Sequence, residues 1–134
     1  MPEVKQGEVW LYEPPTAVVT QKNVEAIHLA SGHEQTGLRP YIIVSRDLLN
    51  KGRPNAIGVP MSTKTDKANA YRIALPVSEL IADVGCEPFR PSVALCDHVR
   101  VIDLNQIRRR IGKLSDNALS SVVNTGLAYV FDFR

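Results

Sequence analysis

Pro40-Tyr41-Ile42-Ile43-Val44-Ser45-Arg46-Asp47-Leu48-Leu49-Asn50-Lys51-Gly52-Arg53-Pro54-Asn55-Ala56-Ile57-Gly58-Val59-Pro60-Met61-Ser62 is the stretch from which the fold is read. Tyr41-Ile42-Ile43-Val44-Ser45 is a short apolar run, rich in β-branched residues and placed directly after a proline, as expected of a buried strand. Asp47-Leu48-Leu49-Asn50 reads as a short helical turn that ends at Lys51-Gly52-Arg53-Pro54. Ala56-Ile57-Gly58-Val59-Pro60-Met61-Ser62 reads as a second strand, with Pro60 arguing for an edge or a bulge because it has no N–H to give to a ladder.

Working outward, Glu8-Val9-Trp10-Leu11-Tyr12 reads as a first strand and Tyr71-Arg72-Ile73-Ala74-Leu75 alternates as a half-buried one. Ser92 to Cys96 and Val99 to Ile102 read as one bent strand. Ser78 to Asp83 reads as a short helix. Near the C-terminus the period changes. Ser115 is a good N-cap, and apolar residues then recur at Leu119, Val122, Val123, Leu127 and Val130, which is helical spacing. Between Glu13 and Gly32 two readings stand: a hairpin turning at Lys22-Asn23, or a short helix from Asn23 to Leu29. Several short strands followed by one terminal helix make an α+β domain built on a small curled antiparallel barrel.

The 134 residues suit a single domain spanning 1–134, and a chain of that length buries a core without covalent staples. Apolar residues make up 44% and charged residues 22%, ordinary values for a globular protein. No apolar run is long enough to span a bilayer, and the N-terminus lacks the apolar segment of a signal peptide, so a cytoplasmic protein that needs no membrane is expected. Cys86 and Cys96 are expected to be reduced thiols in that compartment. Their spacing and the scattered histidines match no zinc-ligand pattern, so no metal or other cofactor is expected. The net charge of +2 does not by itself argue for nucleic acid. Two local clusters, Arg108-Arg109-Arg110 with Lys113 and Lys64 with Lys67, could hold phosphates or could be solvated faces.

Three segments concentrate reactive side chains beside apolar runs. Gly32-His33-Glu34-Gln35-Thr36-Gly37-Leu38-Arg39-Pro40 holds a histidine, a carboxylate and an arginine between glycines. Pro60-Met61-Ser62-Thr63 brings two hydroxyls to a strand end, where they could instead cap a turn. Cys96-Asp97-His98-Val99-Arg100 places an acid, a histidine and an arginine between apolar runs, although Asp97 could simply satisfy local backbone N–H groups.

These segments, together with Gly7-Glu8-Val9-Trp10 and Arg110-Ile111-Gly112-Lys113-Leu114-Ser115, resemble the MazF/PemK toxins in order and spacing over nearly the whole chain. Gly-His-Glu-Gln-x-Gly-x-Arg-Pro is the most specific piece. The resemblance implies an SH3-like antiparallel barrel with short helices and a C-terminal helix, a homodimer, an endoribonuclease acting on single-stranded RNA, and neutralisation by an antitoxin. It implies catalytic roles for Arg39 with Ser62, as in one branch of the family, and for His33 and Asp97, as in the other. Glu34, Gln35, Thr63, Lys64, His98 and Arg100 are the substrate-binding candidates. The second branch also uses an arginine two residues before the aspartate. Leu95 stands there, so the arginine-plus-aspartate arrangement does not carry over intact. His98 replaces the family's usual glutamine, and the Glu13 to Gly32 segment is longer than the family's loop.

The residue types suit a metal-free ribonuclease, in which the RNA 2′-OH attacks the adjacent phosphorus and leaves a cyclic phosphate and a 5′-OH. A guanidinium such as that of Arg39 is planar, charged and bidentate toward phosphate oxygens. A histidine titrates near neutrality and serves as base or acid. Asp97, with an intrinsic value of about 3.9, is a weak base unless its surroundings raise that value, and orienting His33 or His98 is the other reading. Ser62 and Thr63 can donate to a non-bridging oxygen. Trp10, Tyr12 and Tyr41 are either base-stacking platforms or core. An antitoxin for such a groove is expected to present an acidic segment, because a surface that holds phosphates attracts carboxylates. Two other functions suit the same fold: a gyrase inhibitor of the CcdB type, and a nucleic-acid-binding module without activity.

Overall fold

The computed structural model describes residues 2–14 and 37–133. Both readings of the Glu13 to Gly32 segment therefore fall, from residue 15 onward, outside the described residues. Among the described residues the strands are β1 (Glu8–Tyr12), β2 (Arg39–Ile43), β3 (Asn55–Ser62), β4 (Arg72–Leu75), β5 (Leu80–Ala82), β6 (Ser92–Leu95), β7 (Arg100–Asp103) and β8 (Ile107–Leu114). They pair antiparallel in the order β4-β6-β3-β2-β1-β8-β5, with β7 also on β3.

β6 and β7 lie along the same side of β3. Met61 and Ser62 face Ala94 and Val93, and Asn55 to Gly58 face Asp103 to Arg100. A single helical turn, Cys96–His98, joins them, so the two behave as the expected bent strand. Pro60 falls between the segment of β3 held by β7 and the segment held by β6. Its missing N–H marks a seam in a central strand, not the edge that the sequence suggests. The strand read as residues 41–45 begins two residues earlier, which puts Arg39 inside β2. The turn Asp47–Asn50 is α1, as read.

Two strands escape the sequence reading. β8, which pairs with β1, shows no clean alternation because the pairing slips twice, between Val9 and Trp10 and between Leu11 and Tyr12. Bulges of this kind break the two-residue period. The helix expected from Ser78 to Asp83 is a short turn, Val77–Glu79, followed by β5. Leu80, Ile81 and Ala82 are held extended there by pairing with Leu114, Lys113 and Gly112.

Each strand sends alternate side chains to opposite faces, and each face has its own core. Val9, Ile42, Val59, Met61, Leu75, Ala94, Cys96 and Leu114 meet the C-terminal helix on one face. Tyr12, Tyr41, Ile43, Ala56, Ile102, Leu104 and Ile107 pack with Val4 on the other. The C-terminal helix starts as expected at Ser115, whose hydroxyl accepts the Ala118 N–H at 3.0 Å. It runs as α2 (Asp116–Ser120), a wider π-helical stretch (Ser121–Leu127) and α3 (Ala128–Val130). Gly126 lets it sit close. A Cβ there would lie 2.5 Å from Cys96 Sγ and 2.8 Å from Ile73 Cγ1.

Candidate active site

Arg39 opens β2 opposite Tyr12. Tyr41 pairs with Pro60 on the other side, and continuing that register by two residues brings Arg39 level with Ser62. Alternation sends Arg39, Tyr41, Pro60 and Ser62 to the same face, that of the Tyr12 cluster. Arg100 belongs to this face as well. Its guanidinium lies 5.8 Å from the centre of the Tyr12 ring, a separation at which the ring quadrupole attracts a cation. Tyr12 in turn meets Tyr41 edge to face, with centroids 5.2 Å apart. Both tyrosines are buried, so they are core and support for the arginines, not platforms for bases. Among the described residues neither Arg39 nor Arg100 has an ion-pair partner.

Ser62 ends β3, and its Oγ accepts the Lys64 N–H at 3.1 Å. This is the turn-capping role that the sequence offers as the alternative, and among the described residues the hydroxyl proton has no acceptor. Thr63 and Lys64 follow on the exposed turn. Trp10 is half-buried, and its indole N–H donates to Glu8 Oε1 at 3.0 Å.

Asp97 is carried by the turn after β6, and there the structure supplies a residue that sequence reasoning missed. Arg72 on β4 stands opposite Leu95 on β6. Its Nε and Nη2 donate to the two carboxylate oxygens of Asp97, at 3.2 and 2.9 Å. The forked bond from Arg72 holds the Asp97 carboxyl below its ordinary value, outweighing partial burial, which acts the other way. A depressed carboxylate is a poor proton acceptor, so the geometry favours orientation over general base for Asp97. His98 Nε2 lies 3.5 Å from Asp97 Oδ2. The available signal for Arg72 was its polar position in the alternating β4 pattern, but only the β4–β6 register shows what it faces.

Cys96 precedes Asp97 and is buried beneath the C-terminal helix, with Sγ 3.8 Å from the Val122 carbonyl oxygen. Burial first, and the Asp97 charge second, push its thiol up to about 12. It is an anchor for the turn and not a nucleophile. Cys86 is likewise a free thiol.

The Arg39, Ser62 and Arg100 group shares its face with the Arg72–Asp97 pair. The two are offset by one two-residue step of β6, since Ser62 faces Val93 and Arg72 faces Leu95. Among the described residues no hydrogen bond or ion pair links them. His33, Glu34 and Gln35 lie outside the described residues. The Arg108 to Arg110 cluster is less free than its sequence suggests. Arg108 meets Glu13 at 3.1 Å and Arg110 meets Glu8 at 2.7 Å, while Arg109 and Lys113 have no ion-pair partner among the described residues. No three His, Cys, Asp or Glu side chains converge among the described residues, nor is any helix there long and apolar enough to cross a membrane.

Comparison with known proteins bears on the family and the fold. Residues 5–131 match the model of the family described as PemK-like, MazF-like toxins of type II toxin–antitoxin systems. The endoribonuclease MazF of Staphylococcus saprophyticus is 29% identical over 93 residues, which is 69% of this chain and 73% of that protein. Among solved structures, a mycobacterial endoribonuclease in complex with its cognate antitoxin superposes with a TM-score of 0.68 at 16% identity, covering 98% of this chain and 97% of that one. MazF from Deinococcus radiodurans gives 0.65 at 22% identity, covering 99% and 100%. The structural likenesses establish the fold, and the family match, extending across almost the whole chain, establishes that this protein belongs to the PemK/MazF toxins of type II toxin–antitoxin systems.

Proposed function

We propose that the protein is a metal-independent endoribonuclease that cuts single-stranded RNA by attack of the 2′-OH, leaving a cyclic phosphate and a 5′-OH. The observation that carries this reading is the pair of guanidiniums of Arg39 and Arg100, without an ion-pair partner among the described residues and held with the Ser62 hydroxyl on one face of the sheet. Arg39 takes the non-bridging oxygens of the scissile phosphate and stabilises charge as the phosphorane forms. Ser62 donates its hydroxyl proton to one of those oxygens. His33 and His98 are the groups able to move protons between the 2′-OH and the departing oxygen, with Asp97 orienting His98. Thr63, Lys64 and Arg100 line the path of the strand, and Glu34 and Gln35 are the further residues assigned to bind it. Single strands suit the site because splayed bases expose faces and edges for reading.

The protein acts in the cytoplasm as a homodimer and is silenced by an antitoxin whose acidic segment takes the place of the RNA. Support for the partner comes from the charge of the face and from the MazF of Deinococcus radiodurans, which has been solved as a MazE–MazF complex. The test incubates the purified protein with a long RNA, and with DNA of the same sequence, in excess EDTA. RNA cut to cyclic phosphate and 5′-OH ends, with DNA intact, is expected. Intact RNA, or cleavage that requires a divalent ion, overturns the reading, and inhibition of gyrase without RNA cleavage replaces it. Sedimentation at micromolar concentration should report a dimer, and a monomer contradicts that part.

A further inference from the structure

We infer that Tyr129 and Tyr71, with the Arg72 guanidinium beside them, form a stacking platform for a base of the RNA strand that flanks the cleaved step, so that they set affinity for the strand and take no part in the chemistry. The inference rests on the ribonuclease reading above. Tyr129, on α3, lies against the Tyr71 ring with centroids 5.8 Å apart and planes inclined by 26°. The Arg72 guanidinium carbon is 6.0 Å from the centre of the Tyr71 ring. Two rings and a guanidinium together present flat aromatic surface next to positive charge. Bases of a single strand stack on such a surface while the charge attracts its phosphates. A tyrosine pair that served only as core would be covered. Tyr129 is instead 57% exposed, and Tyr71 is half-buried.

The platform is held in advance. Asn69 Oδ1 accepts the N–H groups of Tyr71 and Arg72, each at 3.0 Å, and the Tyr71 carbonyl accepts the Cys96 N–H at 3.2 Å. Asp97 fixes the guanidinium through Nε and Nη2. A guanidinium has five N–H donors, and the three left over have no partner among the described residues. A ligand that docks there therefore orders few side chains. The position fits a flanking nucleotide. Ser62 faces Val93 on β6, and Val93 faces Ala74 on β4. Two strand spacings and a step of two residues put the backbone of Arg72 about 12 Å from that of Ser62 along the sheet, with Arg39 one strand further off. That is too far for one phosphate to touch both arginines, and it leaves room for the RNA to cross β6 between them. Among the described residues β4 is the outermost strand on this side, so RNA passing over it meets Arg72 on one face and the tyrosines at the edge. Lys64 and Lys67, on the segment between β3 and β4, have no ion-pair partner among the described residues and add positive charge along that course.

A stack that merely pins the terminal helix to β4 is the competing role, and the length of the RNA separates the two. A long RNA that wild type cuts is compared with a short one trimmed to the nucleotides next to the cleaved bond. Wild type, Tyr129→Leu and Tyr129→Trp are assayed on both, with melting of each protein recorded. Tyr129→Leu keeps apolar bulk against Tyr71 and removes the aromatic face. It should raise KM for the long RNA by about tenfold with kcat unchanged, and leave the short RNA unaffected. Tyr129→Trp should keep the wild-type KM. Its fluorescence should be quenched saturably by the long RNA carrying a 2′-deoxy nucleotide at the cleaved position, beyond any change that Trp10 shows in wild type. Tyr129→Leu that handles the long RNA within about twofold of wild type, a penalty equal for both lengths, or a Tyr129→Trp signal that RNA leaves unchanged overturns the inference. Wild type that cuts neither RNA overturns the ribonuclease reading instead, and the affinity of Tyr129→Leu for the long 2′-deoxy RNA then decides the platform by itself.

Discussion

Gly126→Ala should weaken the fold and disturb the site together, because the terminal helix rests on the turn that carries Asp97. The new methyl would lie 2.5 Å from Cys96 Sγ, 2.8 Å from Ile73 Cγ1 and 3.3 Å from Ile73 Cδ1, whereas comfortable carbon contacts begin at about 3.5 Å. The helix or its floor must therefore move by close to an ångström. Overpacking of this kind costs about 1–3 kcal/mol, and alanine's better helix propensity returns up to ~1 kcal/mol. A net loss of roughly 1–2 kcal/mol remains, or a Tm lower by about 3–10 °C in a domain of this length. Ile73 and Cys96 are the immediate neighbours of Arg72 and Asp97, so the strain is passed to the forked pair and cleavage should fall with stability. The assay is thermal melting beside RNA cleavage, for Gly126→Ala alone and combined with Cys96→Ala, which removes the nearest obstacle and should recover part of the loss. A Gly126→Ala protein as stable as wild type, or one whose loss Cys96→Ala does nothing to relieve, would refute the argument that this contact seats the helix.

Arg39→Ala should cut RNA about 10²-fold more slowly while melting like wild type, since one transition-state donor is removed from a partly exposed strand end; normal cleavage by a folded variant removes Arg39 from the site. The Arg72 bond depresses the Asp97 carboxyl, so its contribution to stability is complete above the unfolded value of about 3.9 and disappears as pH falls through the lower folded value. The stability gap between wild type and Asp97→Asn should accordingly narrow only at acid pH, and NMR titration should show the Asp97 carboxyl rising in Arg72→Ala; a gap that widens on acidification contradicts the assignment. Iodoacetamide at mildly alkaline pH should modify Cys86 well before Cys96, whose thiol is buried and pushed up to about 12; mass spectrometry showing Cys96 alkylated first would mean that the terminal helix does not cover it.

The sequence by itself settled the elements whose patterns are local. The first strand from Glu8 to Tyr12, the turn at Asp47 to Asn50, the bent strand after Ser92 and the Ser115-capped helix are all readable because apolar periodicity and capping chemistry depend on near neighbours. Motif order carried the family, and with it Arg39, Ser62 and Asp97 as the residues to inspect. Tertiary structure decided what depends on distant partners. β8 is extended because it fills the free edge of β1, although three arginines and two register slips hide its period. β5 is a strand because β8 pairs with it, against a local pattern that also suits a helix. Pro60 sits in a central strand because two successive partners on one side leave a seam where its missing N–H is tolerated. The role of Arg72 is the sharpest case: 23 positions before Leu95 in the chain, it is adjacent to that residue only through the β4–β6 register, which is set by packing across the sheet and leaves no mark in the local sequence.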